Sequence, residues 1–259
     1  MEKYAQSSDG QNIHYKESGQ GNTSILFVHG WLGNEEWWNS QQEYLKDHYQ
    51  VIQMDLAGHG KSDASRNEWK SELYADDIKA VANQINSSEI ILVGHSMSGA
   101  YVLEASLKIP NVKALILVDT IKDLDEAFTE EQAEQILFVH YRNDFKNAVE
   151  NILPQYLFSK ETPPEVKQKL QNEFLQNTSE TAINLLRPLY KTDFRETASK
   201  VQIPVRAINS DNFPTNIENN RKYLKDYNYV EVAGTGHYPM LENPKEFNRI
   251  LHDILKELS

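Results

Sequence analysis

In ILVGHSMSGAYVLEA an apolar run stops at Gly94-His95-Ser96-Met97-Ser98-Gly99 and passes at once into residues of helical character. A serine on a sharp strand-to-helix turn has its hydroxyl lifted above the strand ends, and small residues two before and two after it let the backbone pack around the turn. Gly94 and Ser98 occupy those two places. A serine hydroxyl is a weak nucleophile at neutral pH, so it needs a positioned base and donors aimed at the oxyanion that develops on attack. Among the eight histidines the best base is His237 in VEVAGTGHYPMLENP, on a glycine-flanked loop after a strand-like run. The third member of such a set is a carboxylate that accepts the Nδ1 proton and holds the imidazole tautomer. Asp211 in AINSDNFPTN is the expected acid, on the loop after the preceding strand and in the chain order Ser, Asp, His. Asp119, which ends ALILVD, is the alternative acid, because a carboxylate there can also reach the histidine. The oxyanion donors are expected to be backbone amides, one from Met97 directly after the serine and one from Trp31 in the loop after FVHG.

These residues need a scaffold that brings distant loops to one edge. SILFVHG, YQVIQMDL, SEIILVGHS and NVKALILVDT are short runs rich in Ile, Val and Leu, as expected for parallel strands covered on both faces. Helix-like stretches separate them, including EWKSELYADDIKAVANQI and MSGAYVLEASLKI, the latter ending before Pro110. The alternation predicts right-handed βαβ units and a doubly wound, mostly parallel α/β sheet. KYAQSSDGQNIHYKESG reads as an antiparallel hairpin at one edge, turning at Asp9-Gly10. From 121 to 199 the strands stop and the chain reads as wholly helical. The expectation is a core of residues 1–120 and 200–259 with a helical cap inserted at 121–199. The core resumes with IPVRAIN, a helix-like NIENNRKYLKDY, the strand YNYVEVAG and a last helix over PKEFNRILHDILKEL.

Composition narrows the function. The 259 residues are 39% hydrophobic and 25% charged, which suits one large globular unit or a core with an inserted lobe. A net charge of −12 with no block of Lys or Arg argues against nucleic acid and anionic membrane surfaces as partners. The start of the chain lacks the apolar centre of a signal peptide, and no run of about eighteen apolar residues is present. A cytoplasmic location is the default expectation. With no cysteine, thiolate catalysis and disulfides are impossible, and neither a metal nor a cofactor is expected. The expected partner is a small molecule with an apolar portion, since Phe128, Phe138, Tyr141, Phe145, Tyr156 and Phe158 make the insertion aromatic.

Other residues invite functional readings that the spacing does not support. MDLAGHGKSD, with Asp55, Gly58, Gly60 and Ser62, lacks the spacing of a phosphate-binding loop and reads as a structural turn. His29, His59 and His95 are expected to hold loops through hydrogen bonds, and Glu242 and Pro244 to cap and direct the last helix.

FVHGW, MDLAGHGKSD, GHSMSG, the Asp211 loop and GHYPMLENP, in this order and at these approximate separations, resemble the α/β-hydrolase superfamily. Within it the chain is similar to esterase-like members with a helical cap after the sixth strand, over nearly its whole length. The resemblance implies a serine hydrolase that cleaves a small carboxylic ester through an acyl-enzyme on Ser96, His237 and Asp211. The same fold also supports C–C bond hydrolysis of diketone-like substrates and thioesterase activity, and some hydrolase-like ligand receptors with slow turnover share a Ser at the position of Ser98. Members with an aspartate nucleophile, such as haloalkane dehalogenases and epoxide hydrolases, are unlike this chain at Ser96. The family usually has Gly where Ser98 stands, and its acid loop often has Gly and a double acid where this chain reads Asn209-Ser210-Asp211-Asn212.

Overall fold

The computed structural model describes residues 2–126 and 128–258. Met1 and Ser259, at the ends of the expected core, and Ala127, inside the expected insertion, lie outside the described residues. Eight strands form one sheet: β1 Glu2–Gln6, β2 Asn12–Ser18, β3 Thr23–Val28, β4 Gln50–Met54, β5 Glu89–His95, β6 Val112–Val118, β7 Val205–Ser210 and β8 Tyr227–Val232. Their order is β1-β2-β4-β3-β5-β6-β7-β8. The first two strands pair antiparallel with each other, and β2 continues antiparallel onto β4, so the hairpin is the edge that the Asp9-Gly10 turn predicts. The six strands from β3 onward are parallel.

Nearly every residue of β3, β5 and β6 is buried, without the alternation of a half-exposed strand. Such strands need cover on both faces. The helices Ser71–Ala82 and Met97–Ser106 pack together on the sheet, while Asn39–Leu45 packs with the last helix, Pro244–Glu257, in a separate layer. Ile78, Val81 and the long stripe Phe247, Ile250, Leu251, Ile254 and Leu255 supply the buried faces of the helices that carry them. Burying an aliphatic or Phe side chain of this kind stabilises the fold by about 1.5–3 kcal/mol each.

The order places β3 between β4 and β5, so the chain leaves β3 in one direction and returns to build the sheet in the other. Such a switch opens a crevice outside the carboxyl ends of the two strands, where α/β sheets bind ligands. The crevice here lies between the loop that follows β3, with Gly30 and Trp31, and the turn that follows β5, with Ser96.

Between β6 and β7 the described residues are helical from Glu130 to Lys200, but not continuously. Pro154 and Pro164 each begin a new helix, where a missing N–H is tolerated, and two segments, Glu134–Phe138 and Ala148–Ile152, are wound as π-helix. Residues 121–126, expected in the insertion, instead lie along the core. Asn220 donates from Nδ2 to the Ile121 carbonyl at 2.7 Å, and the Leu124 amide donates to Asn220 Oδ1 at 2.9 Å. The helix expected over 216–227 is shorter, Ile217–Arg221, and Asn220 is its buried residue, facing inward to make these bonds. Among the described residues no helix is long and apolar enough to cross a membrane.

Candidate active site

Ser96 sits between β5 and the helix Met97–Ser106 with φ 54° and ψ −123°, a backbone conformation that costs a non-glycine residue on the order of 1–3 kcal/mol. The surroundings hold it there. Its amide donates to the Val118 carbonyl at 3.0 Å, and the Gly99 amide donates back to the Ser96 carbonyl at 3.0 Å. A Cβ on Gly94 would lie 2.6 Å from the Ser98 carbonyl oxygen, so only glycine fits two residues before the serine. Ser98, where a second glycine is usual, is fully buried, and its hydroxyl donates to the His29 carbonyl. The substitution therefore adds a tie between this turn and the end of β3.

His237 lies on the loop after β8 and donates or accepts at both ring nitrogens. Its Nε2 is 2.8 Å from Ser96 Oγ, and its Nδ1 is 2.7 Å from Asp119 Oδ2. The carboxylate that His237 meets is thus Asp119, and not Asp211. The register explains the exchange: β5 and β6 pair His95 with Val118, so Ser96 and Asp119 stand side by side one step beyond the ladder, and the imidazole spans them. Asp211 is exposed one residue past β7, and its carboxylate accepts from the Gly234 amide at 3.0 and 3.1 Å.

Asp119 is buried at 6% exposure and, like Ser96, has a positive φ, 44°. Burial by itself pulls its pKa upward. The hydrogen bond and charge of His237 and the Lys122 ammonium, 2.9 Å from Oδ1, outweigh burial and hold the carboxyl well below its ordinary value. Ser210 donates to the same oxygen from its amide at 2.7 Å and its hydroxyl at 2.8 Å. Lys122 in turn donates to the carbonyls of Ser210 and Phe213 at 3.0 and 3.1 Å. Neither Lys122 nor Ser210 is marked by a sequence motif; their value comes from facing an acid 91 residues away from Ser210 in the chain.

The amides of Met97 and Trp31 donate to no acceptor among the described residues. Met97 is the first residue of its helix, where backbone donors are unpaired and the helix dipole is positive. Gly30 brings the Trp31 loop against the serine: a Cβ there would meet His95 Nδ1 at 2.6 Å and Ser96 Cβ at 3.0 Å. The Trp31 indole donates to the Ala182 carbonyl at 2.8 Å and stacks on Tyr141 with centroids 5.4 Å apart, joining the core to the inserted helices.

The remaining histidines are held by backbone. His95 Nε2 is 2.7 Å from the His237 carbonyl, His29 Nδ1 is 2.7 Å from the Gly30 carbonyl, and His59 Nδ1 is 3.1 Å from the Ala57 carbonyl. Burial lowers their pKa values to about 3, 4 and 3 respectively, so all three are neutral near pH 7. Glu242 does not cap the last helix. Asn243 does so, accepting from the Glu246 amide at 3.3 Å, with Pro244 in the first turn. The Glu242 carboxylate instead accepts from the amides of Gly236 at 2.8 Å and Tyr238 at 3.0 Å, on either side of His237.

Ser96 and His237 open onto a cavity of about 440 Å³ whose walls include Trp31, Leu137, Leu153, Leu157 and Leu186. Of the aromatic residues singled out from sequence, Phe128, Tyr141 and Tyr156 line it, whereas Phe138 and Phe158 are buried among the helices. A second cavity of about 460 Å³ adjoins it across Lys122, Phe128, Leu189, Tyr190 and Phe213. Away from both, His14, Glu35 and Asp55 bring three possible ligand atoms within 4.8 Å of one another. They are already engaged: Asp55 accepts from the amides of Glu35 and Lys61 and contacts His14 Nδ1 at 2.8 Å, and Lys16 Nζ lies 2.5 Å from Glu35. An ammonium at that distance opposes a second cation, and Asp55 instead serves the turn expected of MDLAGHGKSD.

Residues 23–244 match a protein family described as alpha/beta hydrolase fold. The chain is 22% identical to 3-oxoadipate enol-lactonase 2 of Acinetobacter baylyi, covering 95% of this chain and 94% of that one. It is 26% identical to the pimeloyl-[acyl-carrier protein] methyl ester esterase of Wigglesworthia glossinidia brevipalpis, covering 93% and 96%. Among solved structures, an esterase from Exiguobacterium antarcticum superposes with a TM-score of 0.86 at 22% identity, covering 99% of this chain and 100% of that one. The family match takes in the β3 loop, the Ser96 turn, Asp119 and His237 alike, and the chain belongs to the α/β-hydrolase fold family.

Proposed function

We propose that the protein hydrolyses small carboxylic esters through an acyl-enzyme on Ser96, with His237 as base and Asp119 as acid. The observation that carries this reading is the unbroken line from Ser96 Oγ to His237 Nε2 at 2.8 Å and from His237 Nδ1 to Asp119 Oδ2 at 2.7 Å. Ser96 Oγ attacks the ester carbonyl as His237 takes its proton. The carbonyl oxygen becomes an oxyanion facing the amides of Met97 and Trp31. Collapse breaks the bond to the alcohol, which leaves with the proton from His237. Water, deprotonated by the same imidazole, then attacks the acyl-enzyme, and the acid departs as Ser96 regains its proton. Asp119 keeps Nδ1 protonated and stabilises each imidazolium that forms.

The walls of the cavity favour an apolar acyl or alcohol portion of modest size. The lactonase and methyl ester esterase among the relatives support ester chemistry. A fluorophosphonate probe should label the wild type and leave Ser96→Ala unlabelled, and a 4-nitrophenyl ester series should lose nearly all turnover in that variant. Labelling or turnover retained by Ser96→Ala would overturn the proposal.

A further inference from the structure

Tyr141 and Tyr190 lie on the helices Val139–Asn143 and Ser179–Lys191, and both line the cavity above Ser96. Their rings are fixed. Tyr141 stacks on Trp31 and meets Phe138 at 6.1 Å between centroids, and Tyr190 stands edge-on to Phe138 at 6.0 Å. Neither phenol oxygen has a hydrogen-bond partner among the described residues, and both residues line the cavity. Burial pushes the Tyr190 hydroxyl up to about 12 and Tyr141 higher still, so both remain protonated and can donate.

Two unpaired donors in a wall built mainly of Leu, Ile and aromatic side chains, with Lys122, Tyr156 and Tyr238 its other polar members away from Ser96, set a condition on the occupant. A plain hydrocarbon chain displaces water from both hydroxyls and leaves them without acceptors, which opposes its binding. A chain carrying an oxygen acceptor satisfies them. Sites built to hydrogen-bond a substrate group discriminate strongly against analogues that lack it. The net charge of −12 disfavours a carboxylate at long range, and Lys122, the ammonium in the same wall, is already held by Asp119 and the carbonyls of Ser210 and Phe213, which favours a neutral oxygen.

We infer that Tyr141 and Tyr190 are specificity-determining residues that select esters whose acyl portion carries a second, neutral oxygen acceptor, such as a ketone, beyond the scissile carbonyl. The inference rests on the ester hydrolysis proposed above. It assigns these tyrosines to recognition, not to chemistry.

The test compares 4-nitrophenyl 4-oxopentanoate and 5-oxohexanoate with the corresponding pentanoate and hexanoate. For at least one pair, the wild type should favour the oxo ester by about tenfold or more in kcat/KM. Tyr141→Phe and Tyr190→Phe, which keep the rings, should each reduce that preference by about two- to tenfold, the worth of a neutral hydrogen bond. The double variant should abolish it, read as the ratio of kcat/KM for each oxo ester to that for its plain partner. Equal rates on both members of both pairs, or a preference surviving in the double variant, overturn the inference and leave the hydrolysis standing. Absence of Ser96-dependent turnover on any ester defeats the hydrolysis instead. Recognition is then read without turnover, by titrating Ser96→Ala with methyl 4-oxopentanoate and methyl pentanoate and following tyrosine absorbance. Tighter binding of the oxo ester that disappears with both Phe substitutions supports the inference, and equal binding overturns it.

Discussion

Asp119 receives four donors, from His237 Nδ1, the Ser210 amide, the Ser210 hydroxyl and the Lys122 ammonium, whereas among the described residues Asp211 receives only the Gly234 amide. Asp119→Asn should therefore lower kcat on a nitrophenyl ester by about 10⁴-fold, the scale expected when the tautomer is lost. Asp211→Asn should stay within about twofold of wild type, because an exposed carboxylate can hand one amide back to water at little cost. The opposite ranking would return the acid to Asp211. Stability should carry the same signature. The folded pKa of Asp119 is depressed below its ordinary 3.8, so its contribution is present above that value and is lost as the pH falls through the lower folded one. The unfolding free energy of wild type should fall more steeply below about pH 4 than that of Asp119→Asn; parallel curves would contradict this. At Ser98 the hydroxyl bound to the His29 carbonyl is buried. Ser98→Ala should cost about 1–3 kcal/mol of stability, read as a lower Tm, by leaving that carbonyl without this donor.

The loop carrying His237 is held from two sides. Its own amide donates to the Leu157 carbonyl at 2.7 Å, from the inserted helices, and Glu242 accepts from the amides flanking it. Ser159 Oγ donates to the Gly234 carbonyl at 2.8 Å on the same loop. The imidazole is thus positioned jointly by the core and by the segment between β6 and β7. Glu242→Gln replaces one acceptor oxygen with a donor facing amide donors. It should lower kcat by about 10- to 100-fold with little change in KM, as befits the loss of one or two charge-assisted bonds. A variant with normal kcat would show that the loop holds its geometry without the carboxylate.

A negative charge of 12 on a molecule of this size creates a field that extends beyond any single pocket. An ester bearing a quaternary ammonium should be concentrated near the site relative to an anionic ester of similar shape. The ratio of their kcat/KM values should shrink as ionic strength rises from about 0.01 M, where the Debye length is about 30 Å, to about 0.15 M, where it is about 8 Å. A ratio independent of salt would mean that only local contacts discriminate. The sheet supplies the other molecular-scale constraint. Its switch between β3 and β5 brings the Trp31 loop beside the Ser96 turn, so residues 65 apart in sequence share one crevice.

The strands, the hairpin edge, the Ser96 turn and the loop of His237 were legible in the chain because each is written locally. Buried parallel strands read as unbroken apolar runs, and a turn of positive φ needs small neighbours at fixed offsets. The carboxylate that meets His237 was not legible in that way. Asp119 and Asp211 both follow a strand and both satisfy the chain order in which a triad could be built, and what separates them is register: β6 lies next to β5, whereas β7 lies one strand farther away. The same holds for Lys122 and Ser210 around the acid, for Glu242 behind the histidine and for Tyr141 and Tyr190 over the serine. Hydrogen bonds between residues scores of positions apart depend on distances that sequence spacing does not encode. The local code placed Ser96 on its turn and His237 on its loop; the packing of neighbouring strands and of the inserted helices decided which carboxylate meets the imidazole and which groups line the cavity.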